Sequence, residues 1–342
     1  MAATRRDAEG GLNVELLAPA AAELPPNVAG TVLTVGTFDG VHRGHLDVLA
    51  RLVDHARRLQ LPSLLVTFEP HPLEVLNPPA APLLLTTREE KLALLAETGL
   101  DYVTILPFTR ELAAQSAEEF VDRVLRERFR LAKLLIGHDH GFGRGREGDV
   151  ETLRALGASR GFEVEVVPPV VADTGEAVSS SRIRRALAAG DLGGAAASLG
   201  REYGVRGRVV PGEARGRTLG FPTINVVPES PRKLFPPDGV YAVEVRTPGG
   251  RYGGMLNLGG RPTFGDERRT IEAHLFDVTG DFYGDLVELV FVRRLRDTMK
   301  FDGVEALRAQ LAADERDARS ALTAVVEPGN VNGSTPAPPS TP

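Results

Sequence analysis

Between residues 31 and 185, short apolar runs alternate with stretches whose apolar positions recur every three or four residues. The run at 32–35 predicts a strand. Apolar residues at 46, 49, 52, 53 and 56 predict a helix over 45–59. The same reading gives strands at 63–68, 102–106, 133–137 and 163–167, and helices at 87–98, 117–129, 150–159 and 181–189. Thr87, with Glu90 three residues on, is a capping box for the second of these helices. The alternation predicts an α/β N-terminal domain, a Rossmann-like parallel sheet covered by helices. Ligands of such sheets sit beyond the carboxyl ends of the strands.

Near residue 190 the texture changes. A glycine-rich stretch at 190–200 reads as a short helical connector, and no helix is then expected for about 100 residues. Short β runs take over at 204–210, 223–227, 239–246, 251–258, 270–276 and 285–293, separated by Gly, Pro and Asp turns. They predict an all-β barrel domain, closed by a C-terminal helix near 303–322. The boundaries follow: an α/β domain over 13–186, a connector over 187–202, a barrel over 203–326 and a disordered tail over 327–342.

Composition narrows the function classes. The chain has 342 residues, 42% of them hydrophobic, which suits two domains with ordinary cores. A net charge of −6 argues against bulk binding to nucleic acid, which needs a basic face. With no cysteine there is no disulfide, thiolate metal site or catalytic thiol. No apolar run approaches the ~18 residues of a membrane span, and the N-terminus lacks an apolar signal core. The expectation is a cytoplasmic protein, a monomer or weak homo-oligomer, acting on small molecules without nucleic acid or membrane. Asn332-Gly333-Ser334 matches a glycosylation sequon, a chance match in such a protein.

Directly after the first strand, residues 36–45 read Gly-Thr-Phe-Asp-Gly-Val-His-Arg-Gly-His. A strand, a glycine turn and a helix start place His42 and His45 beside unpaired backbone N–H groups at the positive end of a helix dipole, a ready anion site. Gly36, Gly40 and Gly44 let the backbone turn sharply. No Gly-Lys-Ser/Thr follows, so this is not a P-loop. No Glu follows the first His, so it is not a zinc-protease motif. His71, in the Pro-His-Pro after the second strand, either touches a phosphate or braces a turn. The loop at 137–146, Gly-His-Asp-His-Gly-Phe-Gly-Arg-Gly-Arg, suits a polyanion. A metal held by His138, Asp139 and His140 is a weaker reading, because adjacent residues rarely converge on one ion. Ser180, Ser181 and Arg184 open a helix; on these residues alone the reading is a helix cap, with hydroxyls and a permanent charge to hand.

In the second half, Gly207, Gly212, Gly216 and Gly220 punctuate a run carrying Arg208, Arg215 and Arg217, which is either a phosphate loop or a basic turn region on a barrel. Thr223 and Asn225 lie two apart and project from one face, as hard ligands for Mg²⁺ together with ATP phosphates. Glu272 shares a strand face with Thr270, His274 and Phe276. It is either a general base for a hydroxyl or an exposed strand residue.

Residues 36–45 resemble the Gly-x-Phe-Asp-x-x-His-x-Gly-His motif of the nucleotidyltransferase superfamily. Residues 180–184 resemble that superfamily's Ser-Ser-Thr-x-x-Arg element. Further on, 216–225, 238–242, 257–264, 272–276 and 295–301 look like the riboflavin kinase module. In order along one chain, these motifs resemble the bacterial bifunctional riboflavin kinase/FAD synthetase family over about 30–320. The resemblance implies Mg²⁺-dependent conversion of riboflavin and ATP to FMN in the barrel, and of FMN and ATP to FAD and pyrophosphate in the α/β domain. The other reading is a kinase with a degenerate adenylyltransferase domain. The resemblance also implies roles: His42, His45 and Arg184 for adenylyl transfer, and Gly36, Thr37, Phe38, Asp39, Gly44, Asp139, Ser180 and Ser181 for its ATP. In the kinase, Gly207, Gly216, Arg217, Gly220, Thr223 and Asn225 would hold Mg-ATP. Glu272 would be the base, and Asn257, Arg296 and Phe301 would face the flavin. Four places depart from the family pattern. Ile224 stands for Ala, Ser181 for Thr, 297–299 for Pro-Glu-x, and 138–140 for Glu-Asn-Phe.

Overall fold

The computed structural model describes residues 15–17, 24–138, 141–172, 175–212, 215–260 and 269–325. Asp139, His140, the expected tail and the sequon lie outside the described residues. The chain divides into two compact units, Met1–Tyr203 with Pro228–Pro237, and Gly204–Val227 with Asp238–Pro342.

The first unit is a six-stranded sheet. Its strands are β1 (Glu15–Leu17), β2 (Thr31–Val35), β3 (Ser63–Glu69), β4 (Tyr102–Pro107), β5 (Leu131–Gly137) and β6 (Glu163–Val167). Their order is β1-β4-β3-β2-β5-β6, and every pairing is parallel. Alternate residues feed opposite faces. Leu33, Val35, Leu64, Val66, Leu134 and Ile136 pack into one core, while Val32, Leu65, Val103, Ile105 and Leu135 pack into the other. Burial on both faces is why the strands read as continuous apolar runs rather than alternating ones. The helices are α1 (Arg43–Leu59), α2 (Pro72–Leu76), α3 (Arg88–Ala96), α4 (Arg110–Ala114), α5 (Ala117–Phe120), α6 (Val150–Arg160), α7 (Ser180–Ala188) and α8 (Leu192–Leu199). α1 buries Leu49, Leu52, Val53 and Ala56 on the second face, as its period requires. α5 runs on into π-helical turns over Val121–Arg128, a winding for which the apolar pattern carries no signal.

The second unit is a closed barrel of β7 (Tyr203–Val210), β8 (Ile224–Pro228), β9 (Gly239–Thr247), β10 (Gly250–Gly260), β11 (Arg269–Leu275) and β12 (Leu286–Arg296), ordered β10-β11-β8-β7-β12-β9. Along β7, Tyr203, Val205, Gly207 and Val209 are buried and their neighbours are not, the period of a strand with one face on a core. After α9 (Arg215–Leu219), α10 (Val304–Val325) closes the chain. Its Ala318 and Ala321 pack on Ala242, Met255 and Phe276. α9 corrects the expectation of a helix-free stretch. One turn of helix fits between the glycines because Gly220, at φ 88°, ends it in the left-handed conformation, and the Phe221 N–H then bonds the Gly216 carbonyl at 2.9 Å.

Candidate active sites

The first site lies at the carboxyl end of β2, the strand where the sheet order reverses between β3 and β5. The chain leaves β2 through a turn in which Phe38, Gly40 and Val41 all take positive φ (47°, 86° and 40°). That turn delivers His42 to the N-cap of α1, where its Nδ1 accepts the His45 backbone N–H at 3.3 Å. With Nδ1 accepting, a neutral His42 carries its proton on Nε2. Burial pushes the His42 pKa down to about 4, with Arg201 assisting and Asp39 opposing. Burial, with His42 and Lys91 nearby, holds His45 well below the usual imidazole range. The two rings stack at 3.6 Å between centroids and 16° between planes, and Phe38 lies 4.5 Å from His45. Nδ1 of His45 is buried with no hydrogen-bond partner. Gly44 admits this stack, since a Cβ there would stand 3.3 Å from the His42 ring. At neutral pH both imidazoles are uncharged, so each keeps one ring N–H that, with the helix N-terminus, could donate to an anion.

Asp39 is buried and fully engaged. Its carboxylate accepts the N–H groups of Leu85 and Thr86 at 3.0–3.1 Å, the Thr86 hydroxyl at 3.1 Å, and an ion pair from Arg184. Arg184 also donates through Nε to the Leu83 carbonyl at 2.8 Å. Ser180 donates to the Asp39 carbonyl at 2.9 Å. Ser179, one residue earlier, caps α7, and Ser181 is exposed at its first turn. Lys91 donates to the Thr37 carbonyl at 2.8 Å, with its pKa lowered by burial. Beside these groups is a cavity of about 150 Å³ bordered by Thr37, Asp39, Phe68, His71, Lys91 and Arg232. His71 caps α2, which is the turn-bracing role, and its ring also borders this cavity. His138 is exposed, with neither partner of the conceivable metal trio among the described residues.

The second site is a cavity of about 640 Å³ in the barrel unit. Strand register builds it. Glu272 stands opposite Asn225 on β8 and opposite Asn257 on β10. Thr223, Asn257, Glu272, Arg296 and Phe301 all line the cavity. Arg296 grips the buried Asp314 of α10 with two bonds, 2.8 and 2.6 Å, and its guanidinium lies 5.9 Å from the Phe301 ring centre. Its charge is therefore fixed in place. Thr223 also borders a second cavity of about 450 Å³ with Arg217 and residues 278–283. Asn225 faces the loop before α9, where a Cβ on Gly212 would fall 2.0 Å from Nδ2. Gly216 and Gly207 are equally tight, with Cβ positions 2.2 Å from the Phe221 carbonyl and 2.5 Å from that of Val227. Among the described residues no group of three His, Asp or Glu side chains forms a metal cage.

Comparison with known proteins agrees with this two-site geometry. The FAD synthetase family model matches residues 24–182, and the riboflavin kinase family model matches 199–322. The bifunctional riboflavin kinase/FMN adenylyltransferase of Escherichia coli K12 is 42% identical over 291 residues, covering 85% of this chain and 92% of its own. The chain belongs to the bifunctional riboflavin kinase/FMN adenylyltransferase family. The member from Pseudomonas fluorescens is 41% identical, covering 87% of this chain and 94% of its own. A solved structure described as a macrolide-efflux protein from Streptococcus pneumoniae superposes with a TM-score of 0.80 at 33% identity, covering 90% of this chain and 99% of that one. Among the described residues no helix is long and apolar enough to cross a membrane.

Within this family architecture, the motif residues fall into two groups. His42, His45, Phe38 and Gly44 gather at the start of α1, with His42 and Phe38 buried. Asp39, Ser180 and Arg184 bond one another or nearby backbone, and Asp39 borders the small cavity with Thr37. The sequence reading passed over Lys91, the backbone of Leu85 and Thr86, and Asp314. Each acts through a partner 18 to 54 residues away. Lys91 follows a capping box, which fixed its helix but not its reach.

Proposed function

We propose that the barrel cavity phosphorylates riboflavin and that the start of α1 adenylylates the FMN so formed. The observation carrying this reading is the convergence of Thr223, Glu272, Asn257, Arg296 and Phe301 on one cavity, while the other unit stacks two neutral imidazoles at a helix N-terminus. In the barrel, Glu272 takes the proton of the riboflavin 5′-hydroxyl. Its oxygen bonds to the γ-phosphorus of ATP, the bond to the β-phosphate oxygen breaks, and ADP leaves. Arg296 and Phe301 border the flavin, while Gly207, Gly216, Arg217 and Gly220 border the triphosphate. Thr223 and Asn225 would hold Mg²⁺, being a hydroxyl and an amide oxygen, hard donors that leave positions for phosphates and water. Bound there, the ion neutralises charge that develops on the phosphates.

In the α/β unit, an oxygen of the FMN phosphate attacks the α-phosphorus of ATP and pyrophosphate leaves. The attacking group is already an anion, so no base is required. His42 and His45 donate to the oxygens on which charge develops, and Arg184, held by Asp39, adds positive charge. Gly36, Thr37, Phe38, Ser180, Ser181 and Gly44 shape the ATP pocket. Intact stacking of His42 on His45 favours this reading over a kinase with a degenerate first domain. We further infer a cytoplasmic monomer or weak homo-oligomer working on small molecules, without nucleic acid or membrane. Product chromatography after incubation with riboflavin, ATP and Mg²⁺ tests the main reading. FMN should appear first and FAD later, with both lost when Mg²⁺ is chelated. FMN without FAD would instead establish the kinase-only alternative.

A further inference from the structure

Pro228–Pro237 lies between two barrel strands in sequence and inside the stretch matched to riboflavin kinase, yet it belongs to the α/β unit. Its anchor is Lys233, 3% exposed, whose ammonium donates to Glu90 Oε2 at 2.5 Å and to the Leu85 carbonyl at 2.7 Å. It also lies 4.6 Å from the centre of the Tyr203 ring. Two backbone bonds clamp the same place: Leu84 N–H to the Arg232 carbonyl and Leu234 N–H to the Leu84 carbonyl, both 2.8 Å. Arg232 adds a bond to the Pro82 carbonyl at 2.7 Å and an ion pair with Glu74 at 3.2 Å.

Residues 84–91 are therefore gripped from two sides. Towards the strap they offer the Leu84 backbone, the Leu85 carbonyl and Glu90. Towards the His42 turn they offer the Leu85 and Thr86 N–H groups to Asp39, and Lys91 to the Thr37 carbonyl. Asp39 in turn holds Arg184. Residues 77–87 contain Pro78, Pro79 and Pro82, and hold only a three-residue 3-10 turn, so this stretch has little regular structure of its own to fix those N–H groups.

We propose that Lys233 is a positioning residue for FMN adenylylation: it fixes the Leu85–Glu90 segment that orients Asp39 and, through it, Arg184. This rests on the adenylyl-transfer reading of the α/β site. The consequence is that a residue within the kinase-matched stretch governs the other reaction. A buried ion pair can instead be a balanced structural element, whose replacement by apolar side chains of similar size is close to neutral. The double substitution Lys233→Met with Glu90→Gln separates the two roles. It removes both charges, keeps a side-chain oxygen at 90 to accept the Thr87 N–H, and still leaves the Leu85 carbonyl without its donor.

The full chain is tested as Lys233→Met, Lys233→Arg and the double variant, with both reactions measured on each preparation. In Lys233→Met and in the double variant, kcat for FAD formation from FMN should fall at least tenfold, with riboflavin phosphorylation within twofold of the parent. Lys233→Arg should recover part of the loss. Parental kcat for FAD formation in the double variant would overturn the proposal, as would a parallel loss of both activities in both Met variants. Histidine ring resonances supply a readout independent of turnover. Those of His42, His45 and His71 should shift in the double variant, while His274 stays. If the parent itself forms no FAD, the adenylyl-transfer reading fails, and unmoved His42 and His45 rings would then sink the positioning role as well.

Discussion

The two sites handle the same cosubstrate with opposite constructions. In the barrel, neighbouring strands in register bring Asn225, Glu272 and Asn257 side by side, and a carboxylate faces a roomy cavity. In the α/β unit the carboxylate is Asp39, buried and saturated with donors, and the start of α1 beside it carries two neutral imidazoles, of which His42 is itself buried. The difference follows the nucleophile. A hydroxyl must lose a proton on attack and needs a base, whereas a phosphate arrives already ionised and needs only donors for the charge that develops. Two ATP-dependent activities on one chain thus put their acidic residue in different settings, one lining a cavity with strand neighbours and one saturated by donors.

The sharpest break of this comparison is Glu272→Gln. Removing the base should lower kcat for riboflavin phosphorylation roughly 10²–10⁴-fold. FAD formation from supplied FMN should stay at the parental rate, because the two carboxylates do different work. Equal loss of both reactions in a coupled-product assay would contradict that division. The counterpart is His45→Asn. Losing one charge-stabilising donor should cost about 10²–10³ in kcat for FAD formation, with the kinase unaffected.

How far this division was legible depends on the distance over which each contact acts. The sheet was readable because strands buried on both faces are continuous apolar runs, and the barrel because β7 and β11 alternate strictly. The His42–His45 turn was readable because helix capping is local. Glu272 was visible through its strand face, though its neighbours Asn225 and Asn257 become neighbours only through register. The Asp39 cradle was not readable. It is made of backbone N–H groups at Leu85 and Thr86, which any residue supplies. Nor was the strap: no local signal marks Arg232 and Lys233, whose partners are set only when the fold brings Lys233 against Glu90.

Acid sharpens the contrast through stability. His42 titrates near 4 in the folded protein against about 6.5 unfolded, so between those values the unfolded chain binds more protons and stability falls as pH drops. At ~1.4 kcal/mol per pH unit, the loss for a group this buried is on the order of 3 kcal/mol, complete below pH 4. Denaturant melts of the α/β unit between pH 7 and 4 should show this slope, and His42→Asn should flatten it. Above pH 6 His42 stays neutral, so its ionisation should leave no inflection in the rate of FAD formation there.

Gly212→Ala probes the barrel side at a finer scale. The new methyl would sit 2.0 Å from Asn225 Nδ2, and the short amide must swing aside. Because Gly212 is exposed at the edge of a loop, the overlap falls on the Asn225 side chain rather than on the core. Overpacking of this kind costs about 1–3 kcal/mol, and tenfold in affinity is about 1.4 kcal/mol. The KM for ATP in riboflavin phosphorylation should therefore rise on the order of tenfold, with kcat little changed because Glu272 keeps its place. Steady-state kinetics at saturating and limiting ATP separate the two. A fall in kcat at unchanged KM would mean that Asn225 acts on the reacting phosphate rather than on binding ATP, and the proposed division between Glu272 as base and Thr223 with Asn225 as metal-holding residues would have to be redrawn.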